Sequence, residues 1–317
     1  MFPRLFALRM ISVVIPVFNK ADTLDRALKS VLRQTYQKFE ILVINDGSTD
    51  ESVDVIGRFQ DARIRLIEQP NSGVSVARNR GVESATYDLI AFLDADDEWL
   101  PELLERLLQL RSDFPGVKLW GSSYFFSNPR IGCRPAVLVG KDASFRGEFE
   151  DYFDIASKSE PPIWTSAVLI EKSAIQSIGG FPTGVHAGED LLTWARVATK
   201  YGIAYDAQPL AIFHGPLGFE ERSSRLPPLP DIVGEGLHSL LAQTKPDKSH
   251  SLAVYLALWH RMRAVTFLQA GERVICLREV FRALRLTGFT PRLISITVLL
   301  LAPKGASRWI IRRWHQR

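Results

Sequence analysis

The chain has 317 residues, 46% of them hydrophobic and 23% charged, which supplies a sizeable core and excludes global disorder. Its net charge of +4 is unevenly spread, since residues 261–317 carry 12 Lys and Arg against 2 Asp and Glu, while residues 1–260 carry 27 against 33. The two cysteines, Cys133 and Cys276, lie far apart without metal-ligand spacing, which argues against a disulfide scaffold or a zinc site and favours a reducing cytoplasm.

Predicted strands and helices alternate in the N-terminal part of the chain. Short β-branched or apolar runs predict strands, and apolar residues at three- and four-residue spacing predict helices between them. The strands are expected at 11–18, 39–48, 63–69 and 89–94, and the helices at 22–34, 51–60 and 74–85. This alternation is typical of βαβ units in a mainly parallel sheet, where ligands bind at the carboxyl ends of the strands. The loops PVFN, NDGST and DADD each follow one of these strands, so we expect them to converge on one site.

Beyond Trp120 the pattern changes. Residues 121–165 are rich in Gly, Ser, Pro and aromatic residues and predict irregular structure with short strands. Further on, 162–170 and 211–214 are predicted strands, and a helix is expected to begin near Glu189. A proline-rich link, RLPPLPD, then leads into a basic and mostly helical part. We therefore expect two domains, residues 1–225 and 226–317.

The stretch FLDADD places three carboxylates directly after a predicted strand, on Asp94, Asp96 and Asp97. Like charges this close repel each other unless a solvated turn or a divalent cation offsets them. Asp94 and Asp96, two residues apart, offer hard oxygen ligands that suit Mg²⁺ or Mn²⁺, and Asp97 is a candidate for a direct or hydrogen-bonded contribution. The alternative is an acidic turn that caps a helix starting near Pro101.

Five stretches carry a wider pattern in this order: VVIPVFN, VINDGSTDES, NSGVSVARNRG, FLDADD and GGFPTGVHAGEDLLTW. Together they resemble the family 2 glycosyltransferases of GT-A fold, over roughly residues 10–215. The resemblance implies an α/β fold with a Rossmann-like, mainly parallel sheet flanked by helices, here followed by a helical C-terminal extension. It also implies a hexosyltransferase-like enzyme with a nucleotide-sugar donor, UDP-sugar favoured, a divalent metal cofactor (Mn or Mg) and inversion at the anomeric carbon.

The resemblance assigns donor-binding roles to residues at three strand ends and on one helix. By it, Asp46 accepts an N–H of the base, Arg78 lies near the nucleotide, and the DxD-type motif binds the diphosphate through the metal. The nucleotide-sugar-binding set is then Pro16, Val17, Phe18, Asp46, Arg78, Asp94, Ala95 and Asp96, with Asp94 and Asp96 as metal ligands. From the residues alone, Asp46 equally suits an Asx-type turn with Gly47, Phe18 a core position, and Arg78 a solvated or intrahelical ion pair.

A second acidic site, Glu189-Asp190, opens the helix LLTWARVATKYG. Inverting transfer needs a base that takes a proton from the acceptor hydroxyl, and the resemblance assigns this role to Asp190, with Glu189 as the alternative. Both carboxylates also suit capping of the helix. His214 is a candidate third metal ligand, since some GT-A enzymes place a histidine near this point, and a structural role is the alternative. The segment 164–166 is expected near the acceptor or the sugar.

The basic C-terminal part predicts contact with a membrane surface. Leu293–Ala302 holds ten residues without a charge, a helix of about 15 Å against about 30 Å of hydrocarbon, so it does not span. Val274, Leu277, Phe281 and Leu284 share one helix face beside arginines, and the stretch 307–317 mixes two tryptophans with four arginines. We expect a peripheral contact of 273–317 with anionic membrane at the cytoplasmic face. The alternative is a helical subdomain that packs on the catalytic domain. No nucleic-acid-binding motif occurs, so no nucleic-acid partner is expected.

These features together predict an inverting, metal-dependent transferase that adds a single sugar, because the QxxRW motif of processive synthases is missing after the second acidic site. The expected acceptor is a saccharide or a lipid-linked saccharide in cell-envelope polysaccharide or glycolipid assembly. The alternative is a non-catalytic nucleotide-binding scaffold of the same fold. The presence of every acidic position that the chemistry requires speaks against that alternative.

Overall fold

A computed structural model describes residues 9–128, 132–215, 227 and 229–302. The chain forms two compact units, Met1–Leu217 and Gly218–Arg317. The first is built of strands and helices and the second of helices, which confirms the predicted α/β class with a helical extension. The predicted domain boundary at 225/226 and the tryptophan-rich stretch 307–317 lie outside the described residues.

Within the described ranges of the first unit, ten strands form one sheet with helices packed against it. The strands are β1 (Ile11–Val17), β2 (Phe39–Asn45), β3 (Ile64–Glu68), β4 (Leu89–Phe92), β5 (Glu98–Trp99), β6 (Leu119–Asn128), β7 (Gly132–Pro135), β8 (Arg146–Glu148), β9 (Val168–Glu171) and β10 (Ala204–His214). The helices of this unit are α1 (Ala21–Leu32), α2 (Ser52–Gly57), α3 (Val74–Ser84), α4 (Leu103–Asp113), α5 (Tyr152–Lys158), α6 (Lys172–Ser177) and α7 (Glu189–Tyr201).

The sheet is parallel in its N-terminal half and mixed in the other. Its strand order is β3-β2-β1-β4-β9-β6-β10-β5, with β7 beside β6 and β8 beside β10. The pairs β2–β3, β1–β2, β1–β4 and β6–β10 are parallel, whereas β9 runs antiparallel to both β4 and β6. Because β1, β2 and β4 run side by side in one direction, the loops that follow them open at the same edge. This is the edge where the sequence predicts the site.

The centre of the sheet is buried on both faces, as expected of a continuous β-branched run. All residues of β1 are buried, and α1 covers one face with Leu24, Ala27, Leu28 and Val31. On α3, Gly81 lies so close to β1 that an added Cβ would come within 2.2 Å of Cγ1 of Val14. Glycine therefore permits the close approach of α3, which brings Arg78, one turn earlier, within reach of the sheet edge.

Of two predictions for the middle of the chain, one is confirmed in part and the other was wrong. Residues 121–165 hold the predicted short strands, β7 and β8, but also α5 and the longer β6, which continues to Asn128 and packs its aromatic side chains against others, such as Tyr124 against Trp164 at 5.3 Å. The strand predicted over 162–170 begins only at Val168, after a 3₁₀ turn over Thr165–Ala167. Trp164 and Ser166, at the start of this turn, hydrogen-bond to the loop after β4, as described below.

The second unit contains the helices α8 (Ile232–Gln243), α9 (Pro246–Ala270), α10 (Arg273–Thr287) and α11 (Pro291–Leu301). A buried polar cluster joins three of them. Arg263 on α9 pairs with Asp231, the N-cap of α8, at 3.2 Å and with Glu279 on α10 at 3.4 Å, and His260 Nδ1 lies 2.7 Å from Glu279. Asp231, His260 and Glu279 form the one group with metal-ligand spacing in the described part of the chain. The guanidinium of Arg263 already supplies positive charge to this group, so we interpret the group as an ion-pair network and not as a metal site.

No helix in the described ranges has the length and apolarity that a membrane span requires.

Candidate active site

The guanidinium of Arg78 connects the two acidic stretches. Its side chain is only 4% exposed, and it donates to Asp94 Oδ1 at 2.7 Å and to Glu189 Oε1 at 3.1 Å. Burial alone lowers the pKa of Arg78, but the two carboxylates outweigh that effect and raise it well above its usual range. The alternative of a solvated or intrahelical ion pair is therefore wrong. Arg78 instead fixes the loop after β4 against the start of α7.

The remaining FLDADD carboxylates have partners of their own. Asp96 Oδ2 lies 2.6 Å from Nζ of Lys20, and both side chains are well exposed, at 40% and 39%. Helix α4 begins at Leu103, and its N-cap, Glu102, makes no side-chain capping bond. The interpretation of FLDADD as a cap for this helix is thus wrong. Ala95, between the two candidate ligands, is buried in the core.

Asp97 is buried beneath the loop. Its Oδ2 accepts the hydroxyl of Ser166 at 2.5 Å and the indole N–H of Trp164 at 2.8 Å. Ser166 Oγ in turn accepts the backbone N–H of Asp94 at 3.0 Å. The 164–166 segment therefore contacts the FLDADD loop through both Asp97 and Asp94. Burial, together with the charges of Asp94 and Asp96, raises the pKa of Asp97 well above its usual range. These bonds describe a positioning role for Asp97.

The donor set at the edge fits a divalent cation. Burial raises the pKa of Asp94, Arg78 opposes that rise, and the neighbouring Asp96 adds to it, so negative charge is only partly offset there. Asp96 is held by an exposed lysine that a cation can displace, and its carboxylate supplies the hard oxygen atoms that Mg²⁺ and Mn²⁺ prefer. His214 Nε2 lies 3.2 Å from Glu98 Oε2, and burial, followed by the charge of Arg26, lowers its pKa. Its role as a third ligand stays a prediction.

Asp46, after β2, organises the loop before α3. Its carboxylate accepts the backbone N–H groups of Ser72 at 2.9 Å and Gly73 at 2.8 Å and the side-chain amide of Gln69 at 2.7 Å. The Asx-type turn belongs to the preceding residue, Asn45, whose Oδ1 accepts the N–H of Ser48 at 3.0 Å. The alternative role of Asp46 in that turn is therefore wrong.

The three members of the predicted nucleotide-sugar-binding set at the end of β1 differ in exposure. Pro16 and Val17 are buried within β1, whereas Phe18, 44% exposed, is not a core residue. Phe18 thus presents a ring near the end of β1, where the N–H of Asp46 also bonds to the carbonyl of Val17 at 2.8 Å.

Glu189 and Asp190 lie in the first turn of α7 but in different surroundings. The N-cap of this helix is Gly188, and no side chain caps it. The carboxylate of Glu189 forms an ion pair with Arg78, whereas the carboxylate of Asp190 accepts the backbone N–H of Leu191 at 2.7 Å. Burial, and then the charge of Glu189, raises the pKa of Asp190 to about 7. A carboxylate that titrates near neutrality suits a general base, and this difference favours Asp190 over Glu189.

The sequence interpretation missed Lys20, and although it expected the segment 164–166 near the acceptor or the sugar, it missed the bonds of Trp164 and Ser166 to Asp97. Lys20 follows the PVFN loop directly, so its place after β1 was a signal that it would reach the same edge. The contact of Trp164 and Ser166 with Asp97 has no signal of that kind, since 67 and 69 residues separate the partners.

Comparisons with known proteins agree with this geometry. Residues 12–166 match the glycosyl transferase family 2. An uncharacterised glycosyltransferase of Haemophilus influenzae is 41% identical over 202 residues, which is 63% of this chain and 76% of that protein. The uncharacterised glycosyltransferase YibD of Escherichia coli is 44% identical over 102 residues, 32% of this chain and 30% of its own. The chain spans about a third of the length of the first curated relatives that it matches.

Solved structures resemble the chain at low sequence identity. Residues 1–349 of Staphylococcus aureus TarS in complex with UDP-GlcNAc superpose with a TM-score of 0.69 and 15% identity, covering 96% of this chain and 89% of that one. The mannosyltransferase PcManGT of Pyrobaculum calidifontis, in complex with GDP-Man and Mn²⁺, gives a TM-score of 0.59 with 19% identity, covering 95% and 84%. Likeness at this identity concerns the fold alone.

The sheet and these neighbours show the GT-A fold. The relative from Haemophilus influenzae, three quarters of which is matched, narrows the assignment. The chain belongs to the family 2 glycosyltransferases, which confirms the resemblance read from the five stretches.

Replacement of Arg78 by methionine is expected to lower the free energy of unfolding by about 3–5 kcal/mol, because it leaves Asp94 and Glu189 close together without their cation. The matched control is Arg80→Met on the exposed face of the same helix, with an expected change within about 0.5 kcal/mol. Urea unfolding followed by circular dichroism measures both. Equal stability of the two variants would contradict the proposed central role of Arg78.

Proposed function

We propose that the chain is an inverting, metal-dependent transferase that moves a single sugar from a nucleotide-sugar to a hydroxyl group of an acceptor. One observation carries the proposal: the buried Arg78 pairs with Asp94 of the FLDADD loop and with Glu189 at the start of α7. It thereby holds the candidate metal-binding carboxylates and the Glu189-Asp190 pair at one edge of the sheet. The first stretch suits the leaving diphosphate and the second suits the attacking hydroxyl. A transfer reaction needs these two functions side by side.

Donor binding falls to the loops after β1, β2 and β4. Asp46 and the exposed ring of Phe18 are the groups proposed to contact the base, and UDP is favoured by the family resemblance. TarS in complex with UDP-GlcNAc and PcManGT in complex with GDP-Man support a nucleotide-sugar donor, while they differ in the base. Asp94 and Asp96 would hold the divalent cation, with His214 as the candidate third ligand. When bound, that cation neutralises the diphosphate as it leaves.

Asp190 is the proposed base. The acceptor oxygen forms its bond to the anomeric carbon while the bond from that carbon to the diphosphate oxygen breaks. The hydroxyl proton passes to Asp190, and the nucleoside diphosphate leaves with the bonding electron pair. A single displacement of this kind inverts the configuration. Burial, and then the charge of Glu189, brings the pKa of Asp190 to about 7, so this carboxylate can take up a proton near neutral pH.

The acceptor is proposed to be a saccharide or a lipid-linked saccharide of the cell envelope, since the helical unit presents a surface suited to a membrane. On α10, the side chains of Val274 and Phe281 are 75% and 55% exposed. They line a surface groove together with Arg278, Arg282 and Arg285. Exposed apolar side chains among arginines favour the interface of an anionic bilayer. This surface supports peripheral attachment through the part of 273–317 that the structure describes.

Calorimetric titration of UDP, GDP and dTDP, each with and without Mn²⁺, tests donor and metal together. One nucleotide is expected to bind in a Mn²⁺-dependent manner, and Asp96→Asn is expected to weaken that binding by about tenfold or more through loss of a metal ligand. The exposed Glu102→Gln is the control for a lost negative charge. Nucleotide binding that is indifferent to both Mn²⁺ and Asp96 would refute the metal-dependent mechanism.

The pH dependence of kcat/KM tests the base. Activity is expected to fall about tenfold per pH unit below an apparent pKa of about 7. Asp190→Asn should keep nucleotide binding and lose about 10²–10⁴-fold in kcat. Transfer retained by Asp190→Asn would overturn its role, and nucleotide binding without any transfer in the wild type would favour the scaffold alternative.

The same substitution has a thermodynamic readout. The folded pKa of Asp190 lies above its ordinary value of 3.8, so its contribution to stability is complete below pH 3.8 and is lost as the pH rises towards 7. Asparagine mimics the protonated acid, and Asp190→Asn should therefore raise Tm at pH 8 and change it little at pH 4. The exposed Glu150→Gln, measured in parallel, should show no such trend.

Co-sedimentation with vesicles tests the membrane surface. Binding to phosphatidylcholine vesicles that contain phosphatidylglycerol is expected, and the double replacement Val274→Ser and Phe281→Ser should weaken it by about tenfold or more because it removes inserted apolar area. Val139→Ser removes an exposed apolar residue of the other unit and is the matched control. Equal partitioning of all three proteins would exclude this surface as the attachment site.

A further inference from the structure

A second cavity lies inside the helical unit, away from the groove on α10. It has a volume of about 280 Å³ and is formed by α9, the end of α10 and the start of α11. Its polar lining residues are His250, Arg261, Thr287 and Thr290, and three apolar side chains complete the wall. His250 and Arg261 stand on one stripe of α9, with Val254 and Ala257 between them at helical spacing. The space is several times the share of about 30 Å³ that one water takes in the liquid.

The described residues do not balance the positive charge in this cavity. Arg261 is half-buried, and within the described residues it makes no hydrogen bond or ion pair. Burial lowers its pKa, and the charge of Arg292 on α11 lowers it further. Arg263, two residues along the same helix, shows the opposite arrangement, since it pairs with both Asp231 and Glu279. A half-buried guanidinium that faces a like charge and no carboxylate is costly unless an anion joins it.

The other lining groups supply donors of the kind that an oxyanion needs. Thr290 is the N-cap of α11, which begins at Pro291, and its hydroxyl oxygen accepts the N–H of Leu293 at 3.3 Å. The hydroxyl hydrogen of Thr290 and the positive end of the helix dipole are therefore what this terminus offers to an anion. Thr287 is the last residue of α10 and also lines the cavity, and its hydroxyl donates to the carbonyl of Ala283 at 3.2 Å. His250 is exposed at the mouth and adds a ring N–H. Fork-shaped donation from arginine beside hydroxyl groups matches the several oxygen atoms of a phosphate.

We propose that this cavity binds a phosphate group, held by Arg261 and assisted by Arg292, His250 and the hydroxyl of Thr290. The site lies in the helical unit and does not depend on the transferase mechanism. Its volume leaves room beside the phosphate for the first atoms of the group that carries it. The phosphate comes either from a lipid headgroup or from a free phosphate, and the recognition chemistry is the same for both.

Titration of inorganic phosphate into the whole chain, at constant ionic strength set with chloride, tests the site directly. Arg261→Gln is expected to weaken phosphate binding by about tenfold or more, whereas the exposed Arg58→Gln of the first unit should leave it unchanged. The diphosphate region of the active site is intact in all these proteins, so the difference between them reports the helical cavity. Arg292→Gln, an exposed position, should weaken binding less and provides a second variant that does not disturb the interior.

Thermal unfolding separates an anion site from a merely structural arginine. Without phosphate, Arg261→Gln should be at least as stable as the wild type, because it removes an uncompensated charge. Added phosphate should raise Tm of the wild type and of Arg58→Gln but not of Arg261→Gln. A structural role would instead make Arg261→Gln less stable in both conditions, and that result would overturn the proposal.

Vesicles identify the source of the phosphate. Phosphatidylcholine vesicles that contain phosphatidic acid are compared with vesicles that contain oleate at equal surface charge. A loss of partitioning by Arg261→Gln on phosphatidic acid alone assigns a lipid headgroup, and a loss confined to the inorganic phosphate titration assigns a free phosphate. If Arg261→Gln and the wild type behave alike in both arms, the site does not bind phosphate. Failure of the α10 surface to bind membranes leaves the inorganic phosphate arm fully interpretable.

Discussion

The buried guanidinium of Arg78 is the constraint on which the active edge depends. A carboxylate withdrawn from water costs several kcal/mol unless a cation and hydrogen bonds compensate it, and Arg78 compensates two. It joins Asp94, 16 residues away, to Glu189, 111 residues away, and so brings the end of a central strand and the start of α7 together. The glycine at position 81 makes this geometry possible, because it lets α3 approach β1 closely enough.

Ion pairs in this protein are either buried or exposed, and we assign structural roles to the buried pairs and a functional role to the exposed one. The pairs of Arg78 and of Arg263 are buried and hold helices and strands in place. The pair of Lys20 with Asp96 is exposed, and such pairs contribute little to stability, so it can exchange for a metal ion at small cost. Among the described residues, neither Asp190 nor Arg261 forms an ion pair within 4 Å, and they are the groups for which we propose a proton and a phosphate as partners.

The N-terminal half of the fold was predictable because its signals are local. Most strands there are β-branched or apolar runs and α1 has an apolar stripe, so the predicted and observed elements differ only at their ends. The signals weaken where tertiary contacts override them. The 3₁₀ turn at Thr165–Ala167 depends on hydrogen bonds of Trp164 and Ser166 to Asp97, and β6 depends on β9 and β10 on either side, none of which is near in sequence.

The sequence by itself determined which residue types follow the strands, and with five ordered stretches it determined the family. Asp46, Asp94 and Asp96 were proposed in this way, and the loops PVFN, NDGST and DADD were expected at one edge because parallel strands direct their carboxyl ends to the same side. Asp190, which opens α7, was proposed from the family resemblance. Only the tertiary structure decided how the charges pair: Arg78 with both acidic stretches, Lys20 with Asp96, and Arg261 with no partner among the described residues. Pairing is set by distances between elements 16 to 111 residues apart, and no local pattern encodes those distances.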